Sequence, residues 1–162
     1  MTTSTTQLPN QISRTNSGFT LIELMVTIAV LAIIVGIAAP NISNQLANQR
    51  AKSTTATLNN ALKEAKIESI LRRQNMTLVY NNNGTATGTI TITNPNNIVV
   101  ATYKYDAKST IKPTTNTIVF KPSKTADAKT YTVCDSNTTA SPRQIEVSAI
   151  ATITNQLGGM CP

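Results

Sequence analysis

Gly18-Phe19-Thr20-Leu21-Ile22-Glu23-Leu24, continuing as MVTIAVLAIIVGIAA to Pro40, is the stretch on which the reading of the chain turns. Between the glycine and the proline lie 21 residues, almost all apolar, with one charge, Glu23. A helix rises about 1.5 Å per residue, so about 20 apolar residues cross a hydrocarbon core about 30 Å thick. Two plain readings are a membrane anchor and a secretory signal with a small-residue site near Gly36-Ile37-Ala38. The second fits poorly. Secretory apolar regions run about 7–15 residues behind a basic segment, whereas the residues ahead of this longer run hold a single cation, Arg14.

Glu23 separates the remaining possibilities. A carboxylate in a spanning helix costs about 2.5–3.5 kcal/mol on insertion scales, and such groups are usually paired or functional. A plain anchor gives no reason to keep one. A cut between Gly18 and Phe19 would give one. The new α-amine would lie four residues from Glu23, on the same face if the helix extends that far. Amine and carboxylate could then neutralise each other within a chain or between neighbouring chains.

This segment resembles the processing motif of type IV prepilins. The resemblance implies peptidase cleavage after Gly18, N-methylation of Phe19, and Glu23 as the residue that docks a subunit into a filament. It also implies a local bend or loosening of the helix at Gly36 and Pro40. The expected organisation is a leader over 1–18, a transmembrane and assembly helix over 19–40, its amphipathic continuation over 41–75, and a β-rich head over 76–162. The implied fold is α+β, the pilin fold: a long N-terminal helix whose upper half packs on an antiparallel β-sheet head. Charge counting alone weakly favours the opposite orientation, since Arg50 and Lys52 lie beyond the apolar run. The resemblance places the leader in the cytoplasm.

The residues themselves support that division. Met1–Ser17 is rich in Thr, Ser, Asn and Gln and lacks apolar periodicity. From Asn41 to about Gln74, Ile42, Leu46, Leu58, Ala61, Leu62, Ala65 and Ile70 fall mostly at three- and four-residue spacings, as on an amphipathic helix. Ser53-Thr54-Thr55 is a weak point in it. Beyond Met76 the period becomes two. Strands are expected at 77–80, 89–93, 98–103, 118–120, 131–134, 144–147 and 150–153, with Lys112-Pro113 and Lys121-Pro122 at loops or edges.

The chain has 162 residues, a formal charge of +7, no Trp and 4% aromatic residues. A head so poor in large apolar side chains has a thin core. Export would place it in an oxidising compartment, where Cys134 and Cys161 are expected to pair; loop closure predicts about 3.6 kcal/mol from that bond.

A fainter pattern, Val133-Cys134-Asp135 followed by Arg143-Gln144-Ile145-Glu146-Val147-Ser148, is similar to the GspH/FimT group and most of all to its FimU-like minor pilins. Membership implies a low-abundance structural subunit that helps initiate pilus assembly near the filament tip. The implied partners are other minor and major pilins, prepilin peptidase, an inner-membrane assembly platform and the inner membrane itself. The implied location is the inner membrane, single-pass, before assembly and the extracellular pilus afterwards. A pseudopilin of a type II secretion system and a DNA-binding competence pilin are the alternatives.

The basic Gly-Arg-x-Arg motif of DNA-binding members is missing from Ser148–Thr154. Lys104, Lys108, Lys112, Lys121, Lys124 and Lys129 leave only a general electrostatic route to phosphates. The chain has no histidine, which excludes Ser-His-Asp and Cys-His chemistry. The cysteines lack zinc-site spacing, and the carboxylates beyond the helix are scattered. No enzyme activity, metal or cofactor is expected.

Overall fold

The computed structural model describes residues 18–84, 86–113 and 117–161. Among the described residues one helix, α1 (Leu21–Leu71), is followed by nine strands: β1 (Met76–Asn81), β2 (Gly88–Thr93), β3 (Val99–Tyr105), β4 (Ser109–Lys112), β5 (Thr117–Lys121), β6 (Thr125–Ala126), β7 (Lys129–Asp135), β8 (Arg143–Val147) and β9 (Ile153–Leu157). The chain divides into two compact units, Met1–Ala38 and Ala39–Pro162.

In the first unit the described residues are almost wholly exposed, among them Leu21, Ile22, Leu24, Met25, Ile28, Leu31 and Ile34. The helix is long and apolar enough to cross a membrane by length and composition, and none of its most apolar window is buried. Thr20 caps it. Its Oγ1 accepts the Glu23 amide at 3.2 Å, and its carbonyl accepts the Leu24 amide at 3.1 Å. Thr20-Leu21-Ile22-Glu23 therefore has the spacing of a capping box, with the side-chain bond from N-cap to N3 in place. An acidic residue in a first turn also suits the positive end of the helix dipole.

The second unit is the head, in which α1 packs on two antiparallel sheets ordered β3-β2-β1-β5-β6 and β4-β7-β8-β9. Ala47, Ala51, Thr54, Thr55, Leu58, Ala61, Leu62, Ala65 and Ser69 form the buried face of α1. Their three- and four-residue spacing is that of one helical stripe, and the many small side chains allow close approach. Leu58, Leu62, Leu78, Ile90, Ile92, Ile111, Ile118, Phe120, Tyr131, Val133 and Ile145 fill the core between helix and sheets. The helix stays regular through Ser53-Thr54-Thr55, where Thr55 Oγ1 returns to the Ala51 carbonyl at 2.7 Å.

Four details differ from the sequence reading. Ile42 and Leu46 belong to no buried stripe; they are 63% and 54% exposed, and Ala47 and Ala51 take the inward face. The helix ends at Leu71, short of Gln74. Arg73 adopts φ 52, with bonds from Gln74 N to Ser69 O and from Arg73 N to Ile70 O, a Schellman closure with arginine where glycine is usual. The strand expected at 150–153 begins instead at Ile153, because Ser148–Thr152 is a tight turn with Ala151 at φ 53. Finally, β4 and β6 were not foreseen: one has four residues ending at Lys112-Pro113, the other two residues.

Candidate functional site

The segment expected to be processed begins outside regular structure. Gly18 and Phe19 precede the Thr20 cap, both exposed, with Phe19 at 79%. A Cβ built on Gly18 would meet nothing within 4 Å. The Gly18–Phe19 peptide bond is thus free of the helical ladder, which is how a peptidase needs a bond presented. Because α1 starts at Leu21, Phe19 stands before the cap. The helical i,i+4 argument therefore does not pair it with Glu23 here. Glu23 lies in the first turn and is exposed, and its carboxylate bonds to nothing among the described residues. Gly36 and Pro40 both fall within α1. The rest of the expected leader, residues 1–17, lies outside the described residues.

A second cluster ties α1 to the end of β7. Arg50 Nε and Nη2 donate to Asp135 Oδ2 and Oδ1 at 2.8 and 2.9 Å, a bidentate pair linking residues 85 apart. The Asp135 side chain is 0% exposed and that of Arg50 15%. Asp106, on the turn after β3, lies 3.9 Å from Arg50 Nε. Asp135 Oδ1 also accepts the Asn137 amide at 2.9 Å, closing an Asx turn. Burial works to raise the Asp135 carboxyl. The Arg50 hydrogen bonds, the Asn137 amide and the charges of Arg50 and Lys108 outweigh it, so the group titrates below the ordinary carboxylate range. Its hydrogen bonds to Asp135 likewise hold the Arg50 guanidinium more firmly protonated, against the opposing effect of its own burial.

The loop after β7 is fastened to the same helix by amides and hydroxyls. Asn44 Oδ1 accepts from Asn137 Nδ2 at 3.1 Å and from Thr139 Oγ1 at 2.6 Å, and Asn48 Oδ1 accepts the Ser141 amide at 2.8 Å. Asn44 and Asn48 are one turn apart, hence on one face. Cys134 and Cys161 form a disulfide with Cα atoms 5.8 Å apart, immediately beside Asp135. Sequence reasoning missed Thr20, although the Thr-x-x-Glu spacing announces a cap. It also missed Asn44, Asn48 and Arg50, whose hydrogen-bond partners lie 85 or more residues away and leave no local pattern.

The lysines considered for phosphate binding are dispersed over β3, β4, β5, β7 and the turns after β3 and β5, hence over both sheets. Lys129 Nζ is engaged by the Thr117 carbonyl at 2.6 Å. Among the described residues no three of His, Cys, Asp and Glu gather as a metal site would require.

Comparison with known proteins adds the lineage. Residues 13–39 match the prokaryotic N-terminal methylation motif, and residues 54–151 match the family model described as type II transport protein GspH. Curated protein sequences give no match. Among solved structures, the type IV minor pilin FimU of Pseudomonas aeruginosa strain PAO1 aligns in two crystal forms. In one, TM-score is 0.52 at 16% identity over 67% of this chain and 92% of FimU. In the other, it is 0.52 at 18% identity over 72% and 91%. The minor pseudopilin EpsH of the Vibrio cholerae type 2 secretion system aligns with TM-score 0.54 at 10% identity, over 68% of this chain and 99% of EpsH. At such identities these likenesses establish the fold. The family match covers more than half of the sequence: the chain belongs to the GspH family and is a type IV pilin-like minor pilin of the GspH/FimT group.

Proposed function

We propose that the protein is a minor type IV pilin, a structural subunit rather than an enzyme, that helps initiate pilus assembly near the filament tip. The observation that carries this reading is the segment Gly18–Ala39. An exposed, non-helical Gly18–Phe19 bond leads into a capped apolar helix whose single carboxylate, Glu23, has no partner among the described residues. Prepilin peptidase would cut after Gly18, releasing residues 1–18, and the new amine of Phe19 would be methylated. The segment 19–40, with Gly36 and Pro40 as its point of bending, anchors the subunit in the inner membrane until other pilins and the assembly platform draw it into an extracellular fibre. Residues 41–75 then carry the head, 76–162, at the fibre surface.

Glu23→Ala tests this. The variant should insert in the membrane at wild-type level and vanish from the sheared pilus fraction; normal incorporation would falsify the docking role. A pseudopilin of a type II secretion system is the second reading, supported by the family model and by the EpsH likeness. Deletion separates the two: loss of surface pili and twitching supports the first, loss of exoprotein secretion with pili intact supports the second. DNA uptake has weaker support, since the cations are dispersed. A gel shift with the full chain at two salt concentrations checks it, and the absence of retardation at low salt removes it.

A further inference from the structure

The two sheets of the head present four outer edges, and three are closed against further pairing. On β4, the Asn82 side chain occupies both backbone groups of Ile111: Nδ2 donates to the carbonyl at 2.7 Å and Oδ1 accepts the amide at 2.9 Å. The edge strand β6 has only two residues, and its Ala126 amide is bonded to the Ala149 carbonyl at 3.1 Å. The edge strand β3 pairs with β2 through a register shift at Ile92/Thr93, carries Lys104, and meets α1 through the Tyr103–Glu64 hydrogen bond. Bulges, charges, brevity and covering groups are the usual means of blunting a sheet edge. On β9, Ile153-Thr154-Asn155-Gln156-Leu157, none of them is present: five residues, no charge, no proline, and no strand on the outer side among the described residues.

The ladder fixes which backbone groups are free. Ser148 N bonds Thr152 O at 2.9 Å and Gly158 N bonds Pro142 O at 3.1 Å, in line with the β8–β9 register. Hydrogen-bonded pairs alternate along an antiparallel ladder, so Thr154 and Gln156 direct their amides and carbonyls at β8. Ile153, Asn155 and Leu157 direct theirs outward. Beside this edge is a groove of about 340 Å³ lined by Lys63, Lys66, Ile67, Ala151, Thr152 and Ile153. Ile67 is 54% exposed, and Lys66 Nζ is held at its rim by the Ala151 carbonyl at 2.8 Å.

We propose that the outer edge of β9 is a strand-addition site for an extended, acidic segment of a different polypeptide. The row of outward amides and carbonyls selects an extended backbone. The apolar groove floor selects alternate apolar side chains, and the two lysines select carboxylates. A second copy of this chain is the wrong complement: it carries the same net charge of +7, and β9 paired with β9 would set two lysine-lined grooves side by side.

The test uses the full chain in lipid nanodiscs and, as probe, a capped peptide of alternating valine and glutamate. Residue-resolved hydrogen exchange should show slowing at Ile153, Asn155 and Leu157 and no change at Thr154 and Gln156. Asn155→Pro removes an outward amide that the β8 ladder does not use. It should abolish the slowing and leave the melting temperature unchanged, and Asn155→Lys serves if the proline variant is poorly folded. Lys63→Glu should weaken binding by roughly tenfold, mainly through the loss of charge complementarity. No slowing, slowing that survives both Asn155 variants, equal binding of a valine–lysine peptide, or slowing that grows with protein concentration without peptide would each overturn the proposal.

Discussion

The Arg50–Asp135 pair allows a sharp thermodynamic test. Both charges are withdrawn from water, Asp135 completely and Arg50 largely, and they meet through two hydrogen bonds of 2.8 and 2.9 Å. Removing one partner of a buried pair costs about 3–5 kcal/mol, because the other charge is left uncompensated. The environments differ, so the costs should differ. Arg50→Met strands a carboxylate with 0% side-chain exposure and should cost about 4 kcal/mol. Asp135→Asn leaves a guanidinium that still reaches solvent and has Asp106 at 3.9 Å, and should cost about 3 kcal/mol. The double variant Arg50→Met/Asp135→Leu strands no charge and orphans only the Asn137 amide, so it should cost about 1–2 kcal/mol. Urea unfolding of the full chain in detergent, followed by tyrosine emission, measures this. All four tyrosines lie in the head, so the signal is blind to the membrane segment. The pH dependence has a definite sign. The folded Asp135 pKa lies below its unfolded value, near 3.9, so its contribution is complete above that value and lost as pH falls through the lower folded one. The gap between wild type and Asp135→Asn should therefore close on acidification. Single variants costing under about 1 kcal/mol, or a double variant equal to the sum of the singles, would refute the account.

Further expectations concern the rest of the head. Cys161→Ser opens a closure of sequence separation 27 and should lower stability by about 3.6 kcal/mol, read as a shift of the urea midpoint. Gly88→Ala would put a Cβ 2.2 Å from the Tyr105 ring, which lies across the strand pair from it. The ring must move and its hydrogen bond to Asn82 Oδ1 at 2.6 Å weakens, so a loss of about 1–3 kcal/mol should appear in the same assay. Burial pushes the Tyr80 and Tyr105 hydroxyls up to about 12, and Tyr131 higher still. A raised folded pKa means stability complete below the unfolded value near 10 and lost as pH rises toward the folded values. Phenolate absorbance from these three should emerge together with alkaline unfolding, well above pH 10.

What the sequence disclosed depended on whether the signal was local. The apolar run with Glu23, the three-and-four spacing of Leu58-Ala61-Leu62-Ala65, and the alternation in Thr89–Thr93 are local, and they placed α1 and most strands. The segment Ile150–Ile153 also alternates, yet Ala151 turns the chain and the strand starts later. Ile42 and Leu46 continue a plausible apolar stripe, but nothing in their spacing reveals that alanines at 47 and 51 face the head instead. Arg50–Asp135, Asn44–Thr139 and Asn48–Ser141 join distant positions through polar side chains, for which a single sequence carries no periodicity.

The exposed apolar surface of Leu21–Ala39 has one more consequence. Lipid tails and a lining of Leu, Ile and Val side chains are solvents of nearly equal quality for such a surface. Exchanging one for the other releases little hydrophobic free energy, however large the area. Direction must then come from polar groups. Two of the three in Phe19–Ala39 are already occupied: Thr20 by the Glu23 amide, Thr27 by the Leu24 carbonyl at 2.8 Å. If the helix passes from bilayer to fibre as proposed above, that leaves one carboxylate, Glu23, to bias the transfer. Relieving a charge at mid-bilayer is worth about 2.5–3.5 kcal/mol, so for Glu23, in the first turn, that bias would be at most about a hundredfold, carried by a single side chain on an otherwise neutral slide.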